Sequence, residues 1–163
     1  MGMLGYYLAV DSKTAEKLKN NKFNLFDFFY GGEKYNKENT LDIDKTWHAL
    51  FYLLSKLSHE DENLVYAVPM QNECAFGFDS DIPIFWIEAS KVVKAAEAVN
   101  KVTREKLLEN YNIEDMLEFN IYPIQEGEDA EEFFEYVYNY FVDIQKFLSK
   151  AANENKEIIF SIA

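Results

Sequence analysis

From Glu131 to Asn153 the residues Phe133, Phe134, Val137, Tyr140, Phe141, Ile144, Phe147, Leu148 and Ala151 recur so that all fall within one broad stripe at 100° per residue. A helix of this length spans roughly 35 Å at 1.5 Å per residue. Its apolar side has to lie on another apolar layer of similar extent, so the helix is a main core element and an all-β sandwich or barrel is excluded. The remaining segments must supply that layer.

Leu4 to Val10 (LGYYLAV) and Glu157 to Ile162 (EIIFSI) are apolar, β-prone and free of proline, and both read as strands. Asp11 follows the first as a helix N-cap before KTAEKLKNN. Between Asp42 and Leu57, Ile43, Trp47, Leu50, Phe51, Leu54 and Leu57 recur at spacings of three and four, which predicts a second amphipathic helix capped by Asp42. Leu64 to Met70 and Ile82 to Ile87 are β-prone, but Pro69 and Pro83 confine them to edges or extended connections. Phe23 to Tyr30 fits a helix or a loop equally well. Glu88 to Asn100, Thr103 to Tyr111 and a turn capped by Asn112 read as helices, and Pro123 holds Tyr122 extended. The expected fold is a single α+β domain over residues 1–163, with a small mixed sheet that includes the N- and C-terminal strands and is covered by several helices.

Charge narrows the partners. With 16 Lys plus Arg against 29 Asp plus Glu the net charge is −13, and no basic stripe is present to neutralise phosphates or an anionic membrane surface. Nucleic acid and membranes are therefore not expected as partners, whereas an unidentified protein or small molecule is. A monomer or a weak homodimer is expected. Cys74 is the only cysteine, so no internal disulfide and no multi-thiolate metal site exists, and a cytoplasmic location follows as an expectation. No metal or cofactor is expected.

Two stretches carry a family resemblance. The opening Met1-Gly2-Met3-Leu4-Gly5-Tyr6 and the helix motif Leu41-Asp42-Ile43-Asp44-Lys45-Thr46-Trp47-His48-Ala49-Leu50 resemble the YfbM-like family, as does Ile121-Tyr122-Pro123 ahead of a long helix and a last apolar strand. The resemblance implies an α+β fold over nearly the whole chain and transfers no catalytic residue. Where many relatives carry a second histidine, this chain has Phe51.

Helical phase places Asp44, His48, Tyr52, Ser55 and His59 along one flank of the central helix. Asp44 is then positioned to orient the His48 imidazole for general-base work or ligation, or simply to satisfy it. Asp44, His48 and Tyr52, with Trp86 and Tyr122 as lining residues, form the candidate binding set; the catalytic residues are unknown. Ser55 with His48 makes a poor nucleophile pair, because hydrolase serines sit on tight turns rather than mid-helix. Cys74 lacks any catalytic motif around it. The acidic runs at Glu60 to Glu62, Asp79 to Asp81 and Glu126 to Glu132 match no calcium loop. Fourteen Phe, eleven Tyr and two Trp exceed what one small core requires, so some aromatic side chains are expected at a groove or interface. Together these features predict a non-enzymatic binding or protein-interaction domain; the alternative is an enzyme or small-molecule binder with a polar site around Asp44 and His48.

Overall fold

The two terminal apolar segments find each other. β1 (Gly5–Val10) and β5 (Glu157–Ile162) pair antiparallel along their full lengths, with Tyr7 opposite Phe160 and Val10 opposite Glu157. The structure is a computed structural model that describes residues 2–79 and 81–163, without the side chains of Phe78 and Asp79. β2 (Thr40–Asp42) adds to the free side of β1, and β4 (Ile82–Ile87) and then β3 (Ala75–Asp79) extend the sheet beyond β5, giving the order β2-β1-β5-β4-β3. The α+β class and the terminal strands are as expected. Every pairing is antiparallel, however, where a mixed sheet was expected. The helical excursion after β4 returns Glu157 beside the end of β4, with Ile87 opposite Ile158, so β5 runs against both its neighbours.

All residues of β1 and β5 are buried, because helices or turns cover both faces of the sheet. This is why both strands read as continuous apolar runs rather than as alternations. On one face Tyr7, Ala9, Ile87, Ile158 and Phe160 pack against α2 (Trp47–Leu57), α3 (Ala89–Asn100) and α6 (Ala130–Asn153). On the other, Tyr6, Leu8, Val10, Ile84 and Ile159 meet α1 (Ser12–Lys19) and a 3-10 turn at Leu25–Phe28. α6 is the expected long helix: Asp129 caps it, Glu131 and Glu132 sit in its first turn, and eight of its stripe residues are buried. α3 lays Ala95, Ala96 and Ala98 against the core, and Gln145 of α6 donates to the Val99 carbonyl at 2.8 Å. Small side chains permit that close approach.

Asp11 caps α1 through the Thr14 N–H at 2.7 Å, as its position predicted. α4 (Arg104–Asn110) and α5 (Ile113–Glu118) are capped by Thr103 and Asn112. Leu64 to Met70 differs from expectation. Asp61 accepts the Asn63 N–H and starts a 3-10 turn at Glu62–Ala67 that buries Leu64 and Ala67, three residues apart, in place of an extended run. Pro83 sits in β4 opposite Phe78 of β3, just before the stretch that pairs with β5, so its missing N–H costs no bond in the sheet centre. The expected acidic cluster at Asp79 to Asp81 falls partly outside the described residues. Among the described residues no helix is long and apolar enough to cross a membrane.

Removal of residues 157–162 deletes the strand that joins β1 and β2 to β4 and β3. Two edges and the apolar faces beside them are then open. The truncated chain should show no cooperative thermal transition and no near-ultraviolet circular dichroism; a retained sharp melt would contradict the sheet order.

Candidate functional site

The segments that carry the family resemblance converge on Trp47. Its ring is buried, and its Nε1–H donates to the Met3 carbonyl at 2.9 Å. The Met3 N–H in turn donates to the Tyr122 hydroxyl at 3.0 Å, and Tyr122 stacks on Trp47 at 5.6 Å between centroids. Gly2 and Gly5 belong to the same contact. A β-carbon on Gly2 would overlap the Tyr122 hydroxyl and the Lys45 side chain, and one on Gly5 would meet Ile43 Cγ1 at 2.9 Å. The N-terminal motif is thus shaped to lie against the helix motif, and Met1 itself falls outside the described residues.

His48 sits at the edge of this cluster. Its ring stacks on Trp47 at 5.1 Å and 9°, and its Nδ1 accepts the backbone N–H of Tyr122 at 3.0 Å. That bond requires an unprotonated Nδ1, so the neutral imidazole carries its proton on Nε2. Burial lowers the pKa from the ordinary 6.5 in the same direction. Nε2 has no protein partner among the described residues and is not sealed from solvent. It is a free donor.

A groove of about 450 Å³ opens beside it, lined by His48, Phe51, Tyr52, Ser55, Phe119 and Ile121, with the stem of Lys56. Phe119 stands 63% exposed on the rim. The Tyr52 hydroxyl is buried with no hydrogen-bond partner among the described residues, and the Lys56 ammonium lies 4.6 Å from the Tyr52 ring centroid. Lys56 also approaches Asp115 of α5 at 3.5 Å.

The structure therefore brings together His48, Tyr52 and Ser55, with Tyr122 adjoining through its backbone. It does not bring Asp44 or Trp86 to them. Asp44 lies in a 3-10 turn before α2 with φ 50°, so the helical phase does not extend to it. Its Oδ2 accepts the Tyr136 hydroxyl at 2.9 Å, and burial together with that carboxylate pushes the Tyr136 phenol up. Trp86 packs on the opposite face of the sheet, donating Nε1–H to Glu157 Oε1 at 2.9 Å. His59 follows the end of α2 and bonds its own chain at the Lys56 carbonyl, 2.8 Å away. Sequence reasoning does not find Phe119 and Ile121; the one signal in the sequence is an asparagine, Asn120, just past a helix end, where the structure has it at φ 53° turning the chain. Cys74 is buried, and burial raises its thiol pKa. Among the described residues no group of three His, Cys, Asp or Glu is arranged to hold a metal ion.

Trp47→Ala removes the anchor of Met3 and the stack shared with His48 and Tyr122, and should cost about 3 to 5 kcal/mol in denaturant unfolding; an unchanged midpoint would contradict its place in the core. His48→Ala leaves the Tyr122 N–H without its acceptor and should cost about 1 to 3 kcal/mol, whereas His48→Asn, which keeps an acceptor near Nδ1, should cost less. Because the native imidazole refuses a proton that the unfolded chain accepts, the wild type loses stability as pH falls through the ordinary histidine value. The stability advantage of wild type over His48→Asn should therefore shrink between about pH 7.5 and about pH 5.5. A constant difference would show that His48 takes up its proton freely in the fold.

No curated protein matches the chain. Among solved structures it is similar to YfbM from Escherichia coli, described as a protein of unknown function: 20% identity, a TM-score of 0.71, and coverage of 98% of this chain and 99% of that one. At that identity the likeness speaks for the fold alone. The family described as Domain of unknown function (DUF1877) matches over residues 1–161. The sheet order, the long α6 and the meeting of the motif segments at Trp47 are therefore features of a family member: the chain belongs to the DUF1877 family, the YfbM-like group that its opening and central motifs resemble.

Proposed function

We propose that this protein is a non-enzymatic, cytoplasmic binding domain and that the groove beside His48 receives an apolar side chain from a protein partner. One observation carries the reading: an apolar groove of about 450 Å³ ends on a neutral imidazole with a free Nε2–H donor and is rimmed by an exposed phenylalanine. An apolar side chain fills such a groove, and the carbonyl of the same partner segment accepts from Nε2. The rim sets the charge of that segment. Lys56, the charged residue of the lining, is answered by Asp115, and α5, which ends at the groove, adds Glu114 and Glu118 in a chain of net charge −13, so basic residues flanking the apolar one are favoured. Chemistry at a carboxylate–imidazole pair has less support, because the Asp44 carboxylate is engaged by Tyr136.

Two short peptides test this against the ¹⁵N-labelled protein: one with a Leu-Phe pair between lysines, the other with the same pair between glutamates. The basic peptide should shift the amides of Phe51, Tyr52, Ser55, Phe119 and Ile121 in a saturable manner, and Phe119→Asp should abolish the effect without changing the melting midpoint. Equal shifts with both peptides, or none in the groove, would overturn the proposal.

A further inference from the structure

A sizeable cavity lies on the other face of the sheet. It holds about 670 Å³, within the range of ligand sites. Leu18 of α1, Leu25, Ile84 and Ile159 form its apolar floor, and Phe23, Phe26 and Phe76 wall it. Two of these walls stand open, with Phe26 40% and Phe76 38% exposed. Phe76 is the extra residue of a β-bulge between Ala75 and Gly77, the kind of irregularity that re-aims a side chain. Gly77 has φ 149°, and a β-carbon there would meet nothing within 4 Å, so the cavity reaches the backbone of β3.

The polar side chains in the described lining are ammoniums and amides. Lys19, Lys22, Asn21 and Asn24 contribute, and among the described side chains no carboxylate lines the cavity, in a chain where acids outnumber bases 29 to 16. Lys19 is already held: its ammonium lies 3.2 Å from the centroid of the Trp86 ring and 4.0 Å from Glu157 Oε1. Lys22 is exposed and has no ion-pair partner among the described residues. A second pair of ammoniums, Lys17 and Lys34, lies 5.0 and 4.0 Å from the centroid of the Phe23 ring that walls the cavity.

We propose that this cavity is a second binding site, for a small amphipathic anion of the medium-chain carboxylate type. The aliphatic chain lies on Ile84 and Ile159 between the phenylalanines, and the carboxylate meets Lys22 with the Asn21 and Asn24 side chains beside it. A neutral chain of equal length gains the same apolar burial and leaves the ammonium unanswered. Among the described lining residues Lys22 is the lysine with neither a ring nor an ion partner, so a single negative charge is its complement.

Calorimetric titration with sodium decanoate below its micelle concentration tests the site, with decanol and the variants Lys22→Gln and Lys22→Glu alongside. Binding should be saturable at one equivalent and weaken with salt. Decanol should bind at least about tenfold more weakly, a difference of about 1.4 kcal/mol. Lys22→Glu should weaken decanoate by at least that factor and Lys22→Gln by less, both with the wild-type melting midpoint, since Lys22 is exposed. No saturable binding, equal affinity for decanol, or an unchanged affinity in Lys22→Glu would each overturn the assignment. Neither His48→Ala nor Phe119→Asp should alter decanoate affinity, which separates this site from the groove on the opposite face.

Discussion

The constraint on which the structure depends is that the last strand in sequence is the middle strand in space. β5 contacts β1, which lies about 150 residues earlier in the chain, and β4, and it is buried on both faces. Until it arrives, β1 with β2 and β4 with β3 are separate ribbons, each too small to be stable in water. Ring contacts reinforce the join, with Tyr7 and Phe160 at 4.7 Å and the Tyr7 hydroxyl donating to the Ala67 carbonyl at 2.7 Å. Such long-range pairing closes large loops before it is rewarded, so slow folding is the expected consequence.

A second non-local arrangement stands on that sheet. Met3, Trp47 and Tyr122 are far apart in sequence and bond or stack in one place, and the His48 ring is fixed there because Tyr122 is. The imidazole is thus oriented by a backbone amide rather than by a carboxylate. A backbone donor keeps Nδ1 unprotonated and directs the proton to Nε2, which suits hydrogen-bond donation more than proton abstraction. The charge of Asp44 is spent on a different helix, tying the start of α2 to Tyr136 of α6.

How much of this was legible in the sequence follows from the range of each interaction. Long periodic segments announced themselves: α6 and the two terminal strands lie close to where their patterns placed them, whereas α2 ends at Leu57 as expected but starts at Trp47 rather than after a cap at Asp42, which instead ends β2. Caps such as Asp11 and Asn112 act within three residues and were equally readable. Asp44 was misplaced because one residue at positive φ breaks the helical phase ahead of Trp47, and no pattern marks that break. Trp86 was grouped with the wrong face because adjacent strand residues point oppositely, and only the pairing with β5 reveals that Phe85 takes the side of Phe160 and Trp86 the side of Ile159. β2 and β3, short edge strands, exist through their partners rather than through their own composition.

Leu4 and Ala163 exchange hydrogen bonds, Leu4 N–H to the Ala163 carbonyl at 2.7 Å and Ala163 N–H to the Leu4 carbonyl at 3.0 Å. Leu4 and Ala163 therefore add one more rung to the β1–β5 ladder. Anything joined to either end leaves the molecule at the same spot, beside Trp47, and a loop of a few residues suffices to bridge the two ends. A circularly rearranged chain that opens at an exposed loop elsewhere keeps the β1–β5 contact as a local hairpin, which turns the most distant pairing in the molecule into one of its nearest.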